Sequence, residues 1–472
     1  MSEPQLPHLS FDDFRRHGHD LIDWIADYLE HVGEREVLAS VEPGEIRSMI
    51  PRQAPDTAES MDNILADLDR VVMPGITHWQ HPGFFGYFPA SSSPAAILGE
   101  IASAGLAVQG MLWSTSPAVT EVESAVLDWL VDLLGLPAAW RVDTGPGGGV
   151  LQMSASHSTP TALVVPPHRA TEPGHATDTL VAYGSEQSHS SIEKGARVAG
   201  FRHIRAIPVD GRYAMSIPAL KAAVAADLAA GLVPTWVCSS VGTTGTTAVD
   251  PVRTIAEVAR ESRMWHHVDA AYAGTAMICP EMRHHQDGVE LADSYTFNPH
   301  KWMLTNFDCS AFWVADRAKL IGALSILPPY LRNDASASGE VVDYRDWHVP
   351  LGRRFRSLKL WFVLRSYGAN GLREYVRTHL SWAAESSRRA EEDPRFELFA
   401  PTTFAMVSFR HVAGNSATEA LGQAINASGS AYVTPSVVDD TVFIRVAIGA
   451  TWTERRHVEA LWDLIDEHGD RP

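Results

Sequence analysis

The sequence predicts an α/β fold built on a mostly parallel sheet, with a helical segment before it and a small α+β domain after it. Three observations carry this. Short apolar runs alternate with helical stretches through the middle of the chain, the pattern of strands joined by crossover helices. The first part shows helical periodicity but too little apolar sequence to form a core of its own. The last part returns to one long helical stretch and then short strands. With 472 residues and 45% hydrophobic content, the chain can bury a large core.

Ser10 followed three residues later by Asp13 is a helix start, and Phe11, Phe14, Leu21, Trp24, Ile25 and Tyr28 then recur at helical spacing. Such an amphipathic helix needs a partner surface. Pro43, Pro51 and Pro55 interrupt the chain beyond this helix, so residues 1–90 are expected to form a helical segment that packs on the main domain or on another subunit. The large α/β domain is read as 91–357. It opens with helical stretches at 94–108 and 119–137. Strands are expected at 179–185, 203–209, 235–241, 264–272, 294–300 and 309–315, with helices at 217–231 and 252–263 between several of them. Residues 358–392 read as one long helical stretch, and strands near 404–411 and 441–446 complete a small α+β domain over 358–472. The segment 333–340, NDASASGE, reads as a loop.

An excess of 57 acidic over 38 basic residues gives a formal charge of -19 without any Lys/Arg block. This argues against nucleic acid or an anionic membrane as partner and for a small molecule. Cys238, Cys279 and Cys309 lie far apart in apolar contexts, as buried thiols of a reducing compartment do. The N-terminus lacks the basic and apolar regions of a signal peptide, and no apolar run reaches the ~18 residues of a membrane span, so a cytoplasmic protein is expected. The 21 histidines come without an HExxH or a Cys/His ligand spacing, so no metal site is expected.

FNPHKWM, residues 297–303, sets Lys301 between a histidine and a tryptophan at the end of an apolar run. Lysine is rarely buried unless it is paired or used chemically, although it also marks where a strand gives way to solvent. In a parallel sheet, ligands bind at the carboxyl ends of strands, and HVDAAY and FNPHK would finish at the same edge. A lysine that forms a Schiff base with pyridoxal phosphate needs three companions: a carboxylate for the pyridine nitrogen, a phosphate cradle, and a group that holds the ring flat. Asp269 ends an apolar strand, where a buried carboxylate calls for a cation; its other reading is a helix cap. GPGGGVLQMSASHST, from Gly145, places Ser154, Ala155 and Ser156 ahead of a helix whose N–H groups and dipole suit a phosphate, though a glycine run is also a plain loop. His189 precedes Ser190, which forms a capping box with Glu193, so the imidazole sits at a strand-to-helix turn where it stacks on a ring or faces solvent.

Taken in order, GGGVLQMSAS, SHSSIEKG, VGTTGTT, HVDAAYAG, FNPHKW, NFDCSAFWV and DYRDWHVPLGRRFRSLKLWFV resemble the group II pyridoxal-phosphate decarboxylases, specifically the aromatic-L-amino-acid decarboxylases. The resemblance runs from about residue 75 through the C-terminal domain. It implies the type I, aspartate aminotransferase-like fold and a homodimer with its active site at the subunit interface, the N-terminal segment wrapping the partner. It implies pyridoxal 5'-phosphate as cofactor, Lys301 as the Schiff-base lysine, Asp269 as partner of the pyridine nitrogen and His189 stacked on the ring. Ala155, Ser156, Thr244, Ala271, Asn298 and His300 would surround the phosphate or ring edge. Trp79, Tyr87, Phe88, Pro89, Ala90, Met111 and Gly352 would surround the substrate. Tyr330 of LPPYLRN would return a proton to the substrate Cα after CO₂ leaves, on a loop that closes as a lid with 333–340.

The sequence departs from the animal members of that family. Ala90 stands where they carry a threonine, Met111 where they carry a phenylalanine from the neighbouring subunit, and His157 also departs. Plant tryptophan decarboxylases similarly carry alanine at the first position and glycine at the position of Gly352. An indole substrate is therefore expected before a catechol. Two other readings stand beside the decarboxylase. One is an aldehyde synthase on the same fold, whose members tend to replace the loop tyrosine by phenylalanine or the stacking histidine by asparagine. The other is a cofactor-free protein that keeps the fold as a binding module.

Overall fold

The computed structural model describes residues 8–171, 177–326 and 341–470. Tyr330 and the 333–340 loop lie outside the described residues. Helix α1 (Phe11–His31) begins as expected, with Ser10 Oγ accepting the Asp13 N–H at 3.0 Å. Tyr28 meets His78 and Trp24 meets Asp69, so the far end of its stripe is partly covered, whereas Phe11 and Phe14 at its start are 82% and 64% exposed. Two short helices, α2 (Glu45–Met49) and α3 (Met61–Asp67), precede α4 (Pro94–Leu106) and α5 (Pro117–Leu134). Both α4 and α5 carry proline at the helix start, where its missing N–H costs nothing. Helix α5 buries Val126, Leu127, Leu130, Val131 and Leu134, each worth about 1.5–3 kcal/mol, and this stripe fixes it under the sheet.

The large sheet has the order β1-β7-β6-β5-β4-β2-β3. Its strands are β1 (Gly148–Gln152), β2 (Leu180–Ser185), β3 (His203–Ile207), β4 (Val233–Ser240), β5 (Trp265–Asp269), β6 (Ser294–Phe297) and β7 (Ser310–Val314). From β6 to β3 the pairs are parallel, and β7 runs antiparallel to both of its neighbours. The crossovers include α6 (Ala155–Thr171), α7 (Ser191–Val198), α8 (Ile217–Ala229) and α9 (Val252–Glu261). A one-turn helix, α10 (Pro299–Trp302), follows β6, and α11 (Arg317–Leu324) follows β7.

Several expectations are corrected here. The glycine run is not a loop: Gly148 and Gly149 belong to β1, which the sequence reading did not find. A Cβ at Gly148 would come within 2.6 Å of the Trp347 ring, and one at Gly149 within 2.5 Å of Trp313 Nε1, so close packing of tryptophans demands glycine there. Strands β5 and β6 stop at Asp269 and Phe297, short of the expected 272 and 300, because the chain turns at both points. Ser190 makes no side-chain cap on α7; its own backbone is helical, and the Ser191 N–H is taken instead by His189 Nδ1 at 3.1 Å. Glu193 pairs with Arg197 one turn along.

The long C-terminal stretch, α12 (Arg356–Glu392), is broken at Gly368, whose φ of 63° and ψ of 169° are not helical, so it is two helices meeting at a kink. The small antiparallel sheet has the order β10-β11-β9-β8: β8 (Phe396–Leu398), β9 (Met406–His411), β10 (Thr434–Val438) and β11 (Thr441–Ala447). Helices α13 (Asn415–Ala427) and α14 (Arg455–His468) accompany it. Asp439 and Asp440, at φ 47° and 60°, make the tight β10–β11 turn; such turns need positive φ at both central residues, which aspartate tolerates.

Candidate active site

The carboxyl ends of β1, β2, β4, β5 and β6 all turn into one cavity of about 160 Å³. From β1 come Ser154, Ala155 and Ser156; from β2, His189; from β4, Ser240, Gly242, Thr243 and Thr244; from β5, Asp269, Ala271 and Tyr272; and from β6, Asn298, His300 and Lys301. Phe88 closes the remaining side. A parallel sheet gathers these ends at one edge, which is why residues more than a hundred positions apart meet.

Lys301 sits on α10, whose orientation is fixed by its neighbour. Trp302 is fully buried, donates Nε1–H to His379 Nδ1 at 3.0 Å and stacks on Tyr272 at 5.1 Å. Tyr272 in turn stacks on Phe88 at 3.9 Å, and Lys301 Nζ lies 5.0 Å from the centre of the Phe88 ring. Burial pulls the Lys301 ammonium down to about 8; Asp269 opposes that shift and Arg445 adds to it. Far more of the amine is therefore neutral near neutral pH than in an ordinary lysine, as a nucleophile requires.

Asp269 is buried at the end of β5, and its Oδ1 accepts the Ala271 N–H at 2.9 Å. The carboxylate thus turns the chain, and it also faces the cavity and acts electrostatically on both Lys301 and His189. His189 accepts the Ser191 N–H on Nδ1, which leaves its proton on Nε2. Burial lowers its pKa, with Asp269 opposing and Lys301 reinforcing, so the ring is neutral near neutral pH. His300 accepts the Cys309 N–H on Nδ1 at 2.9 Å, and burial, with Lys301 beside it, holds it at about 3.

The β4 loop owes its shape to Gly242, whose φ is 84° and whose Cβ would strike Ala273 at 2.6 Å. Thr243 Oγ1 is engaged by Thr246 at 3.0 Å and by the Ala248 N–H, whereas Thr244 is exposed to the cavity.

The residues present fit pyridoxal phosphate. The first turn of α6 offers N–H groups that no helical carbonyl can satisfy, beside Ser156 and Thr244, which suits a phosphate. Asn298 Oδ1 is buried on the cavity with no hydrogen-bond partner among the described residues, an acceptor that a ring hydroxyl would satisfy. Asp269 provides the negative charge and His189 the flat face.

Of the residues expected at the site, Phe88, Ala155, Ser156, His189, Thr244, Asp269, Ala271, Asn298, His300 and Lys301 line this cavity. Trp79, Tyr87, Pro89, Ala90, Met111 and Gly352 lie outside its lining. Trp79 and Tyr87 stack on each other at 5.5 Å, and both join a cluster with Phe84 and Tyr432. Ala90 holds Gln80 Nε2 through its carbonyl at 2.7 Å. Met111 and Gly352 belong to two segments tied together, since Arg345 N–H donates to the Met111 carbonyl and Gly110 N–H to that of Arg353. Ser154, named with the candidate phosphate cradle, also lines the cavity, whereas Ser240, Gly242, Thr243 and Tyr272 were missed as lining residues. Three of these lie inside the very motifs quoted, and Ser240 ends β4, so position at a strand end was the available signal.

Comparison with known proteins agrees with this geometry. Residues 43–412 match the pyridoxal-dependent decarboxylase conserved domain. The chain is 44% identical to a phenylacetaldehyde synthase of Arabidopsis thaliana over 98% of this chain and 97% of that one. It is 42% identical to the aromatic-L-amino-acid decarboxylase of Bos taurus, over 97% and 96%. The crystal structure of Catharanthus roseus tryptophan decarboxylase in complex with L-tryptophan superposes with a TM-score of 0.93 at 40% identity, covering 98% of this chain and 99% of that one. The chain belongs to the group II pyridoxal-phosphate-dependent decarboxylases, in the aromatic-L-amino-acid decarboxylase family, with the type I fold and pyridoxal phosphate as cofactor.

Proposed function

We propose that this enzyme decarboxylates an aromatic L-amino acid, tryptophan ahead of tyrosine, phenylalanine and DOPA, to the aromatic amine and CO₂, as a cytoplasmic homodimer with each active site at the subunit interface. The observation that carries the reading is the meeting of Lys301, Asp269, His189 and the α6 N-terminus on one cavity. When bound, pyridoxal phosphate supplies an electron sink for a bond broken at the substrate Cα. Lys301 would supply the amine that holds the cofactor's carbonyl carbon. Asp269 would hold a proton on the pyridine nitrogen, His189 would present its flat face to the ring, and Asn298 and His300 would hold the ring edge. Ala155, Ser156, Thr244 and Ala271 would complete the phosphate and ring surroundings.

Capture of pyridoxal phosphate by the cofactor-free protein should quicken as pH rises towards about 8 and then level off, following the neutral fraction of Lys301. An ordinary lysine would still be gaining towards about 10.4. A rate that keeps climbing to that pH would remove the buried, poised amine.

The dimer is supported by apolar side chains that this chain leaves uncovered: Phe11 and Phe14 on α1, Leu98, Ile101 and Leu106 on α4, and Val349 and Leu351 beside Gly352. On this reading residues 1–90 wrap the partner, 91–357 hold the cofactor and 358–472 form the small domain. Met111 and Gly352, remote from their own cavity lining, would form a wall of the partner's site, and Trp79, Tyr87, Pro89 and Ala90 its mouth.

Tryptophan is favoured because Gly352 leaves room for a bicyclic ring: a Cβ there would meet only Gln109 Nε2, at 3.4 Å. Ala90 also offers no hydroxyl to a phenol, and an unpaired buried phenol costs about 1–3 kcal/mol.

The aldehyde synthase is the second reading, because the chain is 44% identical to an enzyme of that name. Tyr330 and His189 favour the amine. Tyr330 would deliver a proton to Cα after CO₂ leaves, and such general acids contribute ~10²–10⁴-fold, enough to decide between two fates. In air, the wild type should give amine and CO₂ in equal amounts, with kcat/KM highest for tryptophan. Tyr330→Phe should give mainly aldehyde, ammonia and hydrogen peroxide. Peroxide from the wild type would favour the synthase, a higher kcat/KM for DOPA or tyrosine would overturn the indole preference, and unchanged amine from Tyr330→Phe would remove Tyr330 from the mechanism.

A further inference from the structure

Glu123 on α5 and Arg353 form an ion pair whose side chains are 0% and 2% exposed. One carboxylate oxygen, Glu123 Oε1, accepts from Arg353 Nη2 and also from the Leu151 backbone N–H, the latter at 2.8 Å. Leu151 lies on β1, three residues before Ser154 at the cofactor cradle. Arg353 directly follows Gly352, its N–H donates to Gln109 Oε1, and its carbonyl accepts the Gly110 N–H at 3.1 Å. Its guanidinium lies 4.7 Å from the centre of the Tyr344 ring, and the Tyr344 hydroxyl meets Ser124 Oγ at 3.0 Å. A single buried oxygen therefore joins the strand that feeds the cradle to the Met111–Gly352 segments.

The pair is incompletely satisfied. Glu123 Oε2 and Arg353 Nε and Nη1 have no hydrogen-bond partner among the described residues, and such a pair is a poor source of stability compared with apolar packing. Its value lies in what it holds in register.

We propose that the Glu123–Arg353 pair is a positioning device that couples the cofactor cradle of one subunit to the substrate wall which the same subunit lends to its partner's site. The proposal rests on the dimer reading above. Loss of the carboxylate then has two separable consequences. The Leu151 end of β1 loosens, which weakens cofactor retention in the subunit's own site, and the Gly352 wall shifts, which weakens substrate binding in the neighbouring one.

The test is a hybrid dimer. Differently tagged Lys301→Ala and Glu123→Gln chains are coexpressed, and the mixed dimer is isolated through both tags. Its one competent site takes Lys301 and the cradle from the Glu123→Gln chain and the wall from the Lys301→Ala chain. A misplacement of about 1 Å costs up to ~10²-fold, so in the Glu123→Gln homodimer we expect KM for tryptophan to rise, and cofactor loss on dialysis to quicken, by about tenfold each. In the hybrid, KM should return to that of a Lys301→Ala/wild-type hybrid, while the imine absorbance of its one Lys301-containing site is lost on dialysis about tenfold faster than in that control. A hybrid whose KM remains raised, or a Glu123→Gln homodimer that keeps its cofactor as the wild type does, overturns the proposal alone. Failure of the Lys301→Ala/wild-type control to form mixed dimers removes the dimer reading and the proposal with it. If Glu123→Gln does not fold, the same measurements are made on Glu123→Gln/Arg353→Met, which leaves no buried charge unpaired.

Discussion

Lys301→Ala should yield a folded protein whose decarboxylation of tryptophan is slower by roughly 10⁴-fold or more. That figure is the top of the range for a single proton-transfer group, and here the amine that exchanges with the substrate amine is lost as well. Folding should survive because the structural work at α10 is done by Trp302, through its stack on Tyr272 and its bond to His379, and by the His300 contact with the Cys309 N–H. Removing the buried lysine also relieves the desolvation that pulls its pKa down. Purified Lys301→Ala should match the wild type in far-UV circular dichroism and take up pyridoxal phosphate, yet lose cofactor on dialysis and show no imine absorbance. Turnover within tenfold of the wild type would mean that another group carries the cofactor.

Asp269→Asn should keep the fold and lose at least about 10²-fold in kcat, because uncovering a buried charge costs about 3 kcal/mol or more and each 1.36 kcal/mol is a factor of ten. The amide still offers an oxygen to the Ala271 N–H, so the turn after β5 stays intact while the negative charge disappears. That separates the two roles of this residue. If Asp269 were only a cap, Asn would be nearly silent. The same change should shift its neighbours in a known direction. Asp269 raises the pKa of both Lys301 and His189, so without it both should fall further below their ordinary values. The pH midpoint for cofactor capture should therefore move below that of the wild type, read by stopped-flow absorbance. A midpoint that moves upward would contradict the electrostatic arrangement.

The architecture was legible wherever a single short segment carries its own signal. The strands near 180–185, 203–207 and 310–314 and the helices after Ser10, Pro94, Ile217 and Val252 were read correctly, because apolar runs and caps are local properties. Strand β1 was missed because Gly148 and Gly149 look like a loop until Trp347 and Trp313 are seen against them, a contact between residues far apart in sequence. The α7 cap was misassigned because Ser190 followed by Glu193 satisfies the capping pattern, whereas in the fold the Ser190 backbone is already helical, its side chain caps nothing, and His189 Nδ1 takes the Ser191 N–H. Gly368 sits in a stretch of otherwise good helix formers, and nothing nearby announces its φ of 63°.

At the site, Lys301, Asp269 and His189 were identified from motif and strand-end position, and the cavity brings them together. Tyr272 escaped because its role comes from stacking on Phe88 and Trp302, which sequence spacing does not encode. Glu123 escaped for the same reason. On α5 it is one acid among apolar neighbours, and only the fold shows that it holds Leu151 and Arg353 with one oxygen.

If pyridoxal phosphate is bound through Lys301 in a cavity shared with Asp269 and His189, borohydride reduction of the purified enzyme should trap it there. Reduction should remove the visible absorbance, and proteolysis with peptide mass spectrometry should find one phosphopyridoxyl group per chain, on the peptide that contains Lys301. A group attached to any other lysine, or no attachment after incubation with excess pyridoxal phosphate, would contradict it.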